Sequence, residues 1–320
     1  MSRFSFHLFV LGLFMGATGL AQGQPVNGEL QPPGFVGAPA GNGAYPAVAQ
    51  SRADLRTHTL YRPVTLPGAP MPVLLWGNGG CSDNGLGHSY FLREVASHGY
   101  LVVALGYATS ERPLEGDRPA APPPAPPANA APPTPGVDAT TVEQHYTAMD
   151  WLAQRNGDPL DELFGHADLT RMAVAGHSCG GLQAIKTAAD PRISTAMIFD
   201  SGIYNTGYRG VSGINVSKDE LSNLHGPIAY ITGGPSDIAH VNSVDDVSRI
   251  NHVPVFFSWL PVGHGGTFWK AADGAQWAEF AVHWLDWQFK GDREAGSWFL
   301  GADCGLCEDA EWTVERFIEP

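Results

Sequence analysis

The chain has 320 residues, 43% hydrophobic and 16% charged, which is ample for a large buried core. Its 18 basic and 32 acidic residues leave a formal net charge of −14. That balance argues against nucleic acid or an anionic membrane surface as the principal partner.

Read in order, the chain opens with the marks of export. Arg3 carries the early positive charge, residues 8–20 are almost wholly apolar, and Ala21-Gln22-Gly23 follows. This pattern reads as a secretory signal peptide over residues 1–23, too short to span a bilayer comfortably. The remainder, 24–320, is then a secreted or periplasmic protein with no stable membrane insertion after signal removal. Its four cysteines become disulfide candidates, and Cys304-Gly305-Leu306-Cys307 could close a small loop. No second C-x-x-C or nearby histidine pair completes a zinc site, so no metal is expected.

Residues 24–55 are rich in Gly, Pro and Ala and read as an extended arm. Residues 58–63 alternate as an early strand, and 71–76 form a continuous apolar run, as in a strand buried on both faces. A glycine-dense loop follows, Gly77-Asn78-Gly79-Gly80-Cys81, then a helix over 91–96 and a strand over 100–105. Residues 112–135 are a proline-rich insertion that can be neither helix nor sheet. Thr140 or Thr141 caps the next helix, with Val142, Tyr146, Met149 and Ala153 on one face. Further strands are expected at 172–177, 195–199 and 228–232, with the last at 255–260. The closing helix carries Trp277, Phe280, Trp284 and Phe289 on one stripe and stops at Gly291. Strands alternating with helices imply a mostly parallel sheet covered on both faces in one α/β domain.

In such sheets ligands gather beyond the carboxyl ends of the strands, and three of those ends carry chemistry. Gly176-His177-Ser178-Cys179-Gly180, between a strand and a helix, fits a G-x-S-x-G elbow that exposes a serine hydroxyl. The strand at 228–232 leads to Asp237, and the one at 255–260 to His264 between glycines. A serine hydroxyl needs a base; His264 would supply it and Asp237 would orient the imidazole. The oxyanion donors would be the amide of Cys179 and one near Asn78 or Gly79. Asp200, one strand earlier, is a rival acid. Asp245 and Asp246 read as a helix start, His177 as packing, and His240 as a contact behind the site or with substrate. Trp76, Phe268 and Trp269 are candidates for an apolar wall at the substrate.

With these motifs placed, residues 58–290 resemble the α/β-hydrolase superfamily. The likeness is strongest to its secreted branch near dienelactone hydrolases, chlorophyllases, platelet-activating-factor acetylhydrolases and cutinase-like polyester hydrolases. It rests on Gly176-His177-Ser178-Cys179-Gly180-Gly181, Gly234-Pro235-Ser236-Asp237-Ile238-Ala239, Gly263-His264 and Ala96-Ser97-His98-Gly99-Tyr100. The resemblance implies a single-domain α/β-hydrolase fold and hydrolysis of small-molecule or polymeric esters through an acyl-enzyme, without cofactor. Polyester hydrolases usually carry Met where this chain has Cys179, and an aromatic residue in the loop that here reads Gly77-Asn78-Gly79-Gly80. Cys81 and Cys179 fall in the two loops that would build the oxyanion hole, so a disulfide between them is expected. Two other readings stay open: an amidase or peptidase with the same three residues, and a non-catalytic binding protein on the same scaffold.

Overall fold

A computed structural model describes residues 34–117, 139–205 and 214–316. The expected signal peptide, the start of the arm and residues 118–135 of the proline-rich insertion lie outside them. Ten strands make one sheet: β1 Phe35–Ala40, β2 Ala47–Ser51, β3 His58–Pro63, β4 Met71–Gly77, β5 Leu101–Leu105, β6 Ala167–His177, β7 Ile193–Phe199, β8 Ile228–Thr232, β9 Val255–Trp259 and β10 Thr313–Arg316. Their order is β1-β2-β3-β5-β4-β6-β7-β8-β9-β10. The centre, β5 through β9, is parallel, and antiparallel strands close both sides.

The helices are α1 Ser89–Ser97, α2 Val142–Gly157, α3 Cys179–Thr187, α4 His240–Arg249, α5 Ala275–Leu285, α6 Arg293–Ser297 and α7 Gly305–Glu308. Successive residues of a strand point to opposite faces, so a strand apolar throughout must be covered twice. Leu74 and Trp76 of β4 join α1 and α5 in one core, built on Phe91, Trp277, Phe280 and Trp284. Val73 and Leu75 turn the other way, toward α2, α3 and α4, through Leu152, Ile185 and Val247. The α/β class with both faces covered agrees with the pattern of the sequence.

Three local expectations change. The arm is sheet from Phe35 onward: β1 and β2 hydrogen-bond side by side, and β2 pairs with β3 from Ala47↔Pro63 to Ser51↔Thr59. Pairing with a neighbouring strand supplies the hydrogen bonds that a composition reading could not foresee. The strand at Val255–Trp259 is followed by another, β10, antiparallel to it. Asp245 and Asp246 sit in the second half of α4, which already starts at His240 because the turn at Asp237 feeds straight into it. The helix cap at Thr141 is present as a reciprocal box with Gln144, and Gly291 ends the helical run with φ +65°.

Trp284 lies under β7, fully buried, and its Nε1 donates to Thr195 Oγ1 at 2.9 Å. Trp284→Ala should therefore lower the unfolding free energy by about 3–5 kcal/mol. Equilibrium urea unfolding with disulfides intact checks this, and a change under about 1 kcal/mol would contradict the packing role.

Candidate active site

The elbow is a consequence of three glycines. Gly77 of β4 lies beside Gly176 of β6, and Gly180 of α3 sits on both. A Cβ on Gly176 would stand 2.2 Å from the Gly180 carbonyl oxygen, and one on Gly180 would stand 2.1 Å from Gly77 backbone. Only bare backbone lets the helix start this close to the strands. The chain turns between them at Ser178, whose φ is +54°, a conformation that costs a non-glycine residue free energy. Two bonds hold it there: the Ser178 amide donates to Phe199 O at 3.0 Å, and Ser201 Oγ donates to Ser178 O at 2.6 Å.

Across the elbow, Ser178 Oγ lies 2.8 Å from His264 Nε2, and His264 Nδ1 lies 2.6 Å from Asp237 Oδ1. A carboxylate only accepts, so Nδ1 carries the ring hydrogen and Nε2 is left to accept from the hydroxyl. Asp237 also accepts from the Ala239 amide at 2.9 Å and the Gly233 amide at 3.2 Å. Burial raises its pKa, but the bonds from His264 and the Ala239 amide outweigh that and hold the carboxyl below the usual range. Asp237 is thus an anion at neutral pH.

Asp200 is the opposite case. It ends β7 with φ +46°, is fully buried, and burial followed by the charge of Asp237 pushes its carboxyl well above the ordinary value. Trp277 Nε1 donates to it at 3.2 Å. Asp237, not Asp200, is the carboxylate that meets His264. The two neighbouring carboxyls are thus pushed apart, Asp237 downward and Asp200 upward.

The glycine loop after β4 is tied to the elbow covalently. Cys81 and Cys179 are disulfide-bonded with Cα atoms 5.2 Å apart, and Cys304 and Cys307 form the second bridge. Asn78 spends its side chain on the loop itself: Nδ2 donates to Leu105 O and Ser82 O, and Oδ1 accepts from Trp76 Nε1. Any part it plays toward a bound molecule is left to its backbone. Gly79, next along, lines the cavity at Ser178.

Two cavities meet at Ser178 and His264. One, of about 530 Å³, has polar walls from Asn78, Ser82, Asn84, His88 and Arg112, with Trp269 beside them. The other, of about 580 Å³, is lined by Leu182, Tyr204, Ile238 and Val241. Of the three expected aromatics, Trp269 reaches a cavity wall. Trp76 and Phe268 line neither, being fully buried and packed edge-to-face with ring centroids 5.6 Å apart. Both side chains point into the α1–α5 core, where a large aromatic is worth most. His240 lies behind the site, with Nδ1 2.8 Å from Thr232 Oγ1. Among the described residues no cluster of three or more His, Cys, Asp or Glu is placed to hold a metal ion.

No family model matches the chain. It is similar to a curated relative, "Hydrolase ffsE" of Aspergillus flavipes, at 31% identity over 163 residues. The match covers 47% of this chain and 30% of the relative, so the chain spans under a third of that protein's length.

Several wall residues carried no signal in the sequence. Arg112 stands at the edge of the proline-rich tract, yet its guanidinium lies 3.4 Å over the Trp269 ring. Ile238 and Val241 are exposed apolar residues at the start of α4, a position that only the fold reveals as a cavity wall.

The Cys81–Cys179 bridge closes a segment 98 residues apart in sequence. Replacing both by alanine should cost about 2–5 kcal/mol of stability, the range for native disulfides that close long loops. Thermal unfolding of the double variant beside wild type tests it; an unchanged midpoint would refute the tether.

Proposed function

We propose that this chain is a serine hydrolase of carboxylic esters, built on the α/β-hydrolase fold and exported from the cell. One observation carries the reading: Ser178, His264 and Asp237 come from the carboxyl ends of three separate strands and form one hydrogen-bonded line, with the serine on a strained elbow. His264 takes the Ser178 proton during attack on the ester carbonyl and returns it to the leaving alcohol. Asp237 keeps the imidazole in the tautomer that can accept, and stabilises its charged form. Water then attacks the acyl-enzyme by the same route in reverse.

The negative oxygen of each tetrahedral intermediate falls to the backbone amides of Cys179, at the start of α3, and of Gly79. Their separation is governed by the Cys81–Cys179 bridge. The two cavities supply room on both sides of the ester bond. The relative's name supports hydrolysis in general. Two disulfides support the exported state, and no helix among the described residues is long and apolar enough to cross a membrane.

Ser178→Ala should abolish turnover of a short-chain aryl ester, by more than about 1,000-fold, while far-UV circular dichroism stays unchanged. Turnover within tenfold of wild type would refute the assignment. Matched ester and anilide substrates distinguish an esterase from an amidase. Asp237→Asn leaves the imidazole free to adopt the wrong tautomer and should cost about 10,000-fold in kcat. Asp200→Asn, which keeps a neutral side chain of the same shape, should cost at least tenfold less; the reverse order would make Asp200 the acid.

A further inference from the structure

His177, inside the elbow, is bonded on both ring nitrogens. Its Nε2 lies 2.9 Å from the backbone carbonyl of His264, and its Nδ1 lies 3.2 Å from Nε2 of His88. A carbonyl oxygen only accepts, so the neutral His177 ring must carry its hydrogen on Nε2. Nδ1 then accepts, and His88 donates from its own Nε2. One carbonyl therefore fixes two tautomers. The same logic leaves His88 Nδ1 a bare acceptor, and that atom is buried with no hydrogen-bond partner.

Both rings are kept neutral. Burial, against the bond to the His264 carbonyl, pushes His177 down to about 4, and burial followed by the neighbouring His177 pushes His88 well below its ordinary value. Phe268 and Trp269 pack on both rings, and Asp200 Oδ2 lies 3.8 Å from His177 Nε2, too far for a hydrogen bond. An apolar ring at 177 would fill the space but leave the His264 carbonyl without this donor, so packing alone does not account for the pair.

The backbone of His264 needs an anchor. It sits in Gly263-His264-Gly265-Gly266, where Gly263 and Gly266 have φ of +73° and +55°. Such a segment is intrinsically free to move. The Gly263 amide is held by Gly233 O at 2.8 Å, and the His264 carbonyl by His177.

We propose that His177, backed by His88, is a positioning residue that holds the His264 main chain so that its ring stands between Asp237 and Ser178. The inference rests on the hydrolase reading above.

The test is steady-state hydrolysis of an aryl acetate by His177→Phe and His177→Gln. Phenylalanine fills the space but cannot donate, and kcat should fall about 100-fold, as for an ångström-scale misplacement of a reacting group. His177 and His88 both border the cavity at Ser178, so KM does not discriminate here, and rescue by glutamine is the readout that a merely structural role would not give. Glutamine, which can reach the His264 carbonyl with an N–H, should recover about tenfold. The rate of Ser178 phosphorylation by diethyl p-nitrophenyl phosphate should fall in parallel with kcat. A phenylalanine variant within threefold of wild type overturns the proposal, as does a folded glutamine variant no better than phenylalanine. Should His177→Phe fail to fold, His88→Phe serves instead, and unchanged kcat there is equally fatal. A Ser178→Ala variant that stays active overturns the hydrolase reading itself; a dead Ser178→Ala beside an unimpaired His177→Phe counts against the positioning role alone.

Discussion

Everything at the site depends on backbone touching backbone where β4, β6 and α3 converge. Gly77, Gly176 and Gly180 stand there with less room than one methyl group needs. Their contact sets where α3 begins, and so where Ser178 must turn. The strain at Ser178 is offset by hydrogen bonds to Phe199 and from Ser201, residues at and just past the end of the neighbouring strand. The Ser178 hydroxyl is therefore placed by the strands around it rather than by its own loop.

Electrostatics at the site follow from the same burial. Asp237 and Asp200 are carboxyls of similar chemistry within one small volume, and Asp237 accepts from His264 as well as from the Ala239 and Gly233 amides. Burial and the charge of Asp237 push Asp200 the other way. Beneath the serine, burial likewise strips the charge from two imidazoles. His264, partly open to the cavities, is spared that depth.

Much of this was legible in the sequence because it is written in short-range patterns. Continuous apolar runs marked β4, β5 and β7–β9, and glycines at fixed offsets marked the elbow. Chain order then brought Ser178, Asp237 and His264 to strand ends, where topology places them together. The failures share one cause, which is that side-chain direction depends on partners distant in sequence. Trp76 and Phe268 lie within two to four residues of loop residues that do line the site, yet both rings point into the α1–α5 core. The arm's Gly- and Pro-rich composition predicts only an extended segment, because both are poor strand formers, whereas pairing with β3 makes β2 a strand. His177 read as filler since nothing local reveals a carbonyl from residue 264 opposite its ring.

The far end of the described chain bears on the site as well. Trp312, just before β10, packs on Trp277 with ring centroids 5.7 Å apart, and Trp277 in turn holds Asp200. During synthesis, which runs from the N-terminus, the strands bearing Ser178 and Asp237 emerge well before that indole does. The wall behind the two carboxyls consequently cannot close until that indole is available, so a chain cut short before it would lose the backing of Trp277 and Asp200.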